Sequence, residues 1–343
     1  MKSELQFDLI AIGDIASDAF IRLREAEVHS EINKANRQIC MSFGAKLPYE
    51  SVTIVPGVGN SANAAVSAAR LGLRAALISN LGNDYNGDEA IESLQANNID
   101  IRFGAKHDGK LTNYHYVLWY QDDRTILVKH EEYPYILPLD FARGKPPKWI
   151  YLSSLSEHSL PYHHEIANYL KANSEIKLAF QPGTWQIKFG VEQLSEIYRL
   201  TEIFFGNTEE AKRILRMGAN DPNKNDIKIL LTGLANLGPK IIVITNATQG
   251  AYLFDSRESK TLFMPAYPDQ KSPLERTGAG DAFASTLVSA LALGESLEKA
   301  LAWAPINSMS VVQQIGAQKG LLTRAELESF LAKAPANYKC SPL

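Results

Sequence analysis

Short runs of Ile, Val, Leu, Ala and Phe recur along the chain as FDLIAIGD, RAALISNLG, KWIYLSSL, IKLAFQP, EIFFGN and KIIVITN. Most are followed by a stretch whose apolar positions return at helical spacing, among them Asp88 to Ala96, His164 to Leu170 and Glu209 to Leu215. Ser61 to Leu71 follows the strand-like SVTIV in the same way. Strands without a polar face must be covered on both sides, and helices between them supply crossover connections. The pattern predicts an α/β fold with a doubly wound, mostly parallel sheet.

Two segments break this rhythm. Residues 37 to 55 (RQICMSFGAKLPYESVTIV) and 111 to 130 (LTNYHYVLWYQDDRTILVKH) read as strands joined by turns, with Asp122-Asp123 as a hairpin tip. They predict a small β-rich lid made from two insertions, the first preceded by a polar span, Leu23 to Asn36, that is expected to be helical. The expected division is a core of residues 1–20, 56–108 and 131–343 and a lid of residues 21–55 and 109–130. No internal repeat or Pro/Gly/Ser-rich linker separates them, so the lid reads as an elaboration of one domain.

Composition narrows the partners. The 343 residues are 45% hydrophobic and 21% charged, enough for one large core or two smaller ones. With 35 basic against 38 acidic residues and no long run of Lys or Arg, nothing favours a phosphate backbone, and nucleic acid is not expected as a partner. Cys40 and Cys340 are too few for a disulfide framework and read as free thiols of a reducing compartment. MKSELQFDLIAIGD lacks the pattern of a secretory leader, and no run of about 18 apolar residues occurs, so no membrane association is expected and the chain reads as cytoplasmic.

Two glycine-rich stretches carry the candidate chemistry. The first, SVTIVPGVGNSANAAVSAARLG, fits G-x-G-x-x-A at Gly57, Gly59 and Ala62, which alone would suggest dinucleotide binding. That site also needs an acid at the end of the next strand, roughly 20 residues on, to hold the ribose hydroxyls. The next strand ends at Ser79 and Asn80, so the acid is missing. Glycines that only let a helix approach a sheet remain a second reading.

The other stretch is ERTGAGDAFAS. Gly278 and Gly280 carry no Cβ, and the apolar run from Ala282 to Leu293 has the spacing of a helix that begins there. Backbone N–H groups converging at a helix start form an anion hole. No G-x-x-x-x-G-K-[ST] occurs, so this is not a Walker loop. Asp281 lies where a carboxylate could take a proton from a hydroxyl attacking a bound phosphoryl group. Its bland alternative is a helix N-cap over a packing loop.

Five motifs in order then resemble the ribokinase-like, or PfkB, family of carbohydrate and nucleoside kinases over nearly the whole chain. D-T-x-G-A-G-D is similar to Glu275-Arg276-Thr277-Gly278-Ala279-Gly280-Asp281, and G-G-x-x-x-N to Val58-Gly59-Asn60-Ser61-Ala62-Asn63. N-x-x-E falls on Asn207-Thr208-Glu209-Glu210, T-x-G-x-x-G on Thr245 to Gly250, and the pattern of an acid soon after the first strand on Gly13-Asp14-Ile15-Ala16-Ser17-Asp18. The resemblance implies an ATP- and Mg²⁺-dependent kinase that moves the γ-phosphoryl group to a hydroxymethyl of a small-molecule sugar or nucleoside. It implies Asp281 as base and the N–H groups of Gly278, Ala279 and Gly280 as stabilisers of the transferred group. Asp18, Gly59 and Asn63 would bind the acceptor, Asn207 and Glu210 would position Mg²⁺ through water, and Thr245, Gly250 and Asn307 would line the nucleotide. Val58 and Ala247 replace family glycines. Glu275 replaces an Asp that lies beside a monovalent cation in members activated by one, which leaves potassium dependence open. Lids of the family often pair between subunits, so a homodimer through the lid is open as well.

Two lesser features complete the reading. His158, His163 and His164 are read as exposed residues at a helix start rather than a metal site, and one of Trp119 and Tyr120 is expected to cover the acceptor. Two other functions stay in view at this point: a catalytically reduced sugar-binding regulator of the same fold, and a dinucleotide-dependent oxidoreductase.

Overall fold

The computed structural model describes residues 6–30, 37–121 and 123–343. In chain order the strands are β1 (Leu9–Ile12), β2 (Ala16–Leu23), β3 (Glu27–Ser30), β4 (Arg37–Cys40), β5 (Tyr49–Val58), β6 (Ala75–Gly82), β7 (Asp100–His107), β8 (Asn113–Tyr120), β9 (Asp123–Leu127), β10 (Trp149–Leu152), β11 (Lys177–Phe180), β12 (Thr201–Asn207), β13 (Ile241–Thr245), β14 (Ala251–Asp255), β15 (Lys260–Met264) and β16 (Ser341–Pro342). The helices are α1 (Asn60–Arg70), α2 (Tyr85–Ala96), α3 (Leu139–Arg143), α4 (Leu160–Ala172), α5 (Thr184–Gln193), α6 (Ser195–Leu200), α7 (Thr208–Ile214), α8 (Ile227–Ala235), α9 (Ala279–Ala292), α10 (Leu297–Val311) and α11 (Arg324–Ala332).

The six apolar runs from FDLIAIGD to KIIVITN each hold a strand of the large sheet, ordered β16-β15-β14-β13-β12-β11-β10-β1-β6-β7. From β13 to β7 the pairing is parallel, while β14, β15 and β16 close one edge antiparallel. Successive residues of one strand enter opposite cores: Leu9 and Ala11 belong to the core that includes Leu287 and Trp303, whereas Ile10 and Ile12 belong to the one that includes Ile166 and Leu230. Burial on both faces is why these strands read as unbroken apolar runs. The chain winds outward from β1 in one direction through β6 and β7, and from β10 in the other through β13. A crevice outside the strand carboxyl ends therefore opens at the β1/β10 switch point.

The lid is a separate sheet, ordered β5-β2-β8-β9. Its boundaries differ from the expected ones, because β2 joins it from Ala16 onward and β5 stays in it through Val58. SVTIV is thus an edge strand of the lid, the place where Pro56 is tolerated, and not a strand of the large sheet. The G-x-G-x-x-A stretch is accordingly no strand–turn–helix of a dinucleotide fold. The expected helix over Leu23 to Asn36 is also wrong where it can be judged. Leu23 ends β2, residues 24–26 are not helical, Glu27–Ser30 pairs antiparallel with Arg37–Cys40, and residues 31–36 lie outside the described residues. Of the hairpin tip, Asp122 lies outside the described residues, while Asp123 opens β9 opposite Tyr120.

Candidate active site

Asp281 occupies the first turn of α9 but does not cap it. The N-cap is Gly278, held at φ 80°, and a Cβ there would lie 2.2 Å from that of Ala317, so only glycine fits. By helix geometry the N–H groups of the first turn, Ala279 to Asp281, lack partners within α9. Gly280 has open space around it, leaving that end of the helix accessible. The Asp281 carboxylate instead turns across the crevice. Asn60 Nδ2 donates to Oδ1 at 2.7 Å, Asn63 Nδ2 to Oδ2 at 2.8 Å and Gln181 Nε2 to Oδ1 at 3.1 Å. Asn60 and Asn63 are three apart on α1 and so share a face, and Gln181 follows the carboxyl end of β11. Burial raises the Asp281 pKa above its ordinary value; the three amide donors oppose the rise and the charge of Asp18 adds to it.

Asp18 comes from the lid. The parallel register of β2 and β8 sets it opposite His115, whose Nδ1 lies 3.2 Å from Asp18 Oδ1. A second acid, Asp14, follows β1 and accepts a hydrogen bond from Tyr135 at 2.8 Å. Burial lifts it to about 7 against the pull of that bond. Asp14, Asp18, Gly59, Asn63, Thr277 and Asp281 all line one cavity of about 610 Å³ between core and lid. Gly59 is also held open by conformation, with φ 127° and Asp14 O where a Cβ would be at 2.7 Å.

The residues expected on the nucleotide side divide. Asn207 caps α7, its Oδ1 accepting from Glu209 N and Glu210 N, while Glu210 Oε2 accepts from Asn207 N at 2.9 Å. N-x-x-E is therefore a capping box, and the Asn207 carbonyl is spent on the helix. Glu210 is pushed up by burial and, in smaller part, by the charge of Asp281, so a cation between them would relieve both carboxylates. Among the described residues no group of three or more His, Cys, Asp and Glu side chains could hold a metal. That donor set fits Mg²⁺, which keeps its waters and takes one or two carboxylates plus phosphate oxygens. Thr245 lies beside Asn207 in the β12/β13 register, at the same end of the sheet. Gly250 is demanded by packing, since a Cβ would lie 2.3 Å from Met264 O. Asn307 departs from the expected setting: it is fully buried, its Nδ2 donating to Thr286 and its Oδ1 accepting from Leu322 N, so its amide pins the core.

Other expectations also change. Trp119 is buried beneath Arg22, and neither it nor Tyr120 lines the cavity; Ile126, Val128, His115 and His130 do. His163 is not exposed. Buried, with its pKa lowered to about 4 by desolvation, it lies 2.8 Å from Ser159 O and 3.2 Å from Gln186 Nε2. Glu275 accepts from Thr277 N and Gly316 N, tying the anion loop to the turn after α10. Sequence reasoning missed Asp14, Asn60, His115 and Gln181. For Asn60 the i,i+3 relation to Asn63 was a usable signal, and for Gln181 its place just after a parallel strand; His115 is found only through the lid register.

Among known proteins, the chain is 23% identical to a nucleoside kinase of Methanothermobacter thermautotrophicus, over 92% of each chain. It is equally 23% identical to a 5-dehydro-2-deoxygluconokinase of Bacillus velezensis, over 94% of each. The structure of Arabidopsis thaliana ribokinase complexed with ribose and ATP superposes with a TM-score of 0.77 at 18% identity, covering 95% of this chain and 99% of that one. The sequence profile of the pfkB family carbohydrate kinases matches residues 41–324, and the chain belongs to that family.

Proposed function

We propose that the chain is an ATP-dependent kinase that transfers the γ-phosphoryl group to a hydroxymethyl of a sugar or nucleoside. The observation that carries this reading is the Asp281 carboxylate: it sits in the first turn of a helix without capping it and faces the cavity under three amide donors. In the transfer the acceptor oxygen bonds to the γ-phosphorus, its proton passes to Asp281, and the bond to the β,γ-bridging oxygen breaks to release ADP. The amides orient the carboxylate and favour its ionised form. The N–H groups opening α9 face the charge on the transferred phosphoryl group, at the positive end of the helix dipole. Asp18, Gly59 and Asn63 hold acceptor hydroxyls, and Asp18 brings the lid with it, so acceptor binding favours closure and excludes water. Glu210, oriented by Asn207, would hold Mg²⁺ through water, and Thr245 and Gly250 would flank the nucleotide phosphates. Mg²⁺ when bound neutralises phosphate charge.

Pairing of two chains through the lid has a surface to use: Ile54, Ala19, Tyr116 and Leu127 fall in one cross-strand row on the face opposite Asp18, and all but Ala19 are exposed. Light scattering of the purified protein reads its mass. The kinase reading is tested by ATP turnover over sugars and nucleosides, with and without potassium. ADP release matched by a phosphorylated acceptor supports it, and ADP release that ignores every acceptor refutes it.

A further inference from the structure

The acceptor cavity is larger than a monosaccharide needs. At about 30 Å³ per water-sized heavy atom, its 610 Å³ holds on the order of twenty non-hydrogen atoms, of which a pentose fills about half. The hydroxyl-binding and catalytic groups Asp18, Gly59, Asn63 and Asp281 line part of the wall. Further wall has a different chemistry. Trp185, half-buried at the start of α5, lines it from the core, and Ile126 and Val128 line it from the lid, 37% and 55% exposed. Lys188 Nζ stands 3.9 Å over the Trp185 ring. An indole and two uncovered aliphatic side chains in one cavity suit a flat, weakly polar group.

Charge narrows the class further. Asp14, Asp18 and Asp281 contribute three carboxyl groups to the lining, Asp14 only partly ionised near pH 7, against the ammonium of Lys188 and the imidazoles of His115 and His130. An acceptor that itself carries a carboxylate would enter a field of its own sign. Resting on the kinase reading above, we infer that the acceptor is a neutral nucleoside, its ribose hydroxyls on Asp18 and Asn63, its 5′-hydroxyl toward Asp281, and its base stacked on Trp185 beneath Ile126 and Val128.

The test has a binding arm and a turnover arm. Trp119, Trp149 and Trp303 are buried, so of the four tryptophans Trp185 is the one a ligand in the cavity can reach, and added nucleoside should change its fluorescence. Free ribose should not. In turnover with ATP and Mg²⁺, at least one of adenosine, guanosine, inosine, cytidine and uridine should exceed ribose, fructose and a keto-deoxy sugar acid by about a hundredfold or more in kcat/KM. Trp185→Ala should raise the nucleoside KM roughly 5- to 100-fold with kcat nearly kept, the loss of one base stack, and Trp185→Phe should restore most of it. A sugar or sugar acid that outperforms every nucleoside overturns this inference and leaves the kinase reading standing. Fluorescence change with nucleosides but no turnover sinks the kinase reading while the base slot stands. A Trp185→Ala protein with unchanged nucleoside KM removes the slot.

Discussion

Asp281→Asn separates chemistry from scaffolding, because the structure says what each loses. The carboxylate accepts from Asn60 and Gln181 on Oδ1 and from Asn63 on Oδ2. An amide in its place keeps the first two bonds on its carbonyl, but its NH₂ then meets the Asn63 NH₂ across 2.8 Å. Rotating the Asn63 amide repairs that contact and breaks the 3.1 Å bond that Asn63 Oδ1 accepts from Gln318, whose Nε2 still donates to Gly57 O. The structural loss is thus one hydrogen bond, about 1–3 kcal/mol, offset by no longer burying a charge. Melting should move by no more than about 4 °C. Loss of the proton acceptor should lower kcat by about two to four orders of magnitude, or about 2.7–5.4 kcal/mol in the barrier, with nucleotide affinity nearly unchanged. Single-turnover phosphoryl transfer, nucleotide titration and calorimetry read the three quantities. A variant that keeps more than about a tenth of the wild-type rate on its true acceptor refutes the base assignment, as does one whose lost rate follows lost folding.

Three other outcomes are expected. Glu210→Gln keeps the capping box, because Gln serves at that position, yet removes the charge, so half-maximal rate should need roughly tenfold more Mg²⁺ while the acceptor KM holds; an unmoved Mg²⁺ dependence would make Glu210 a cap alone. Asp14 has its pKa raised from 3.8 to about 7 by burial, so the stability it contributes is complete below about pH 4 and is lost as pH rises through 7. Denaturant titrations should therefore show wild type losing up to roughly 4 kcal/mol relative to Asp14→Asn between about pH 4 and pH 8, and parallel profiles would contradict the burial argument. Asn307→Ala should cost about 2–5 kcal/mol through its two lost core hydrogen bonds and leave the ATP KM alone; a raised KM with unchanged melting would return Asn307 to the nucleotide site.

The large sheet and the order of its chemistry are legible in the residues alone. Strands buried on both faces cannot alternate, so β1, β10 and β13 announce themselves as apolar runs whatever they pack against. Gly278 and Asp281 stand out for a similar local reason, since a left-handed residue at a helix start is written as glycine. Whatever depends on pairing between distant residues follows only from the packed fold. Asn60 and Asn63 meet Asp281 across 221 and 218 residues, and Asp18 meets His115 only through the β2/β8 register. The polar span after Leu23 carries little apolar pattern, so nothing in it announced the strand pairing between Glu27–Ser30 and Arg37–Cys40, and strand preference follows its neighbours more than its own residues. Asn307 looks alike on paper whether it faces a ligand or the core. Only the positions of Thr286 and Leu322 show that its amide is already bonded, because hydrogen-bond satisfaction is a property of the packed interior and not of the chain.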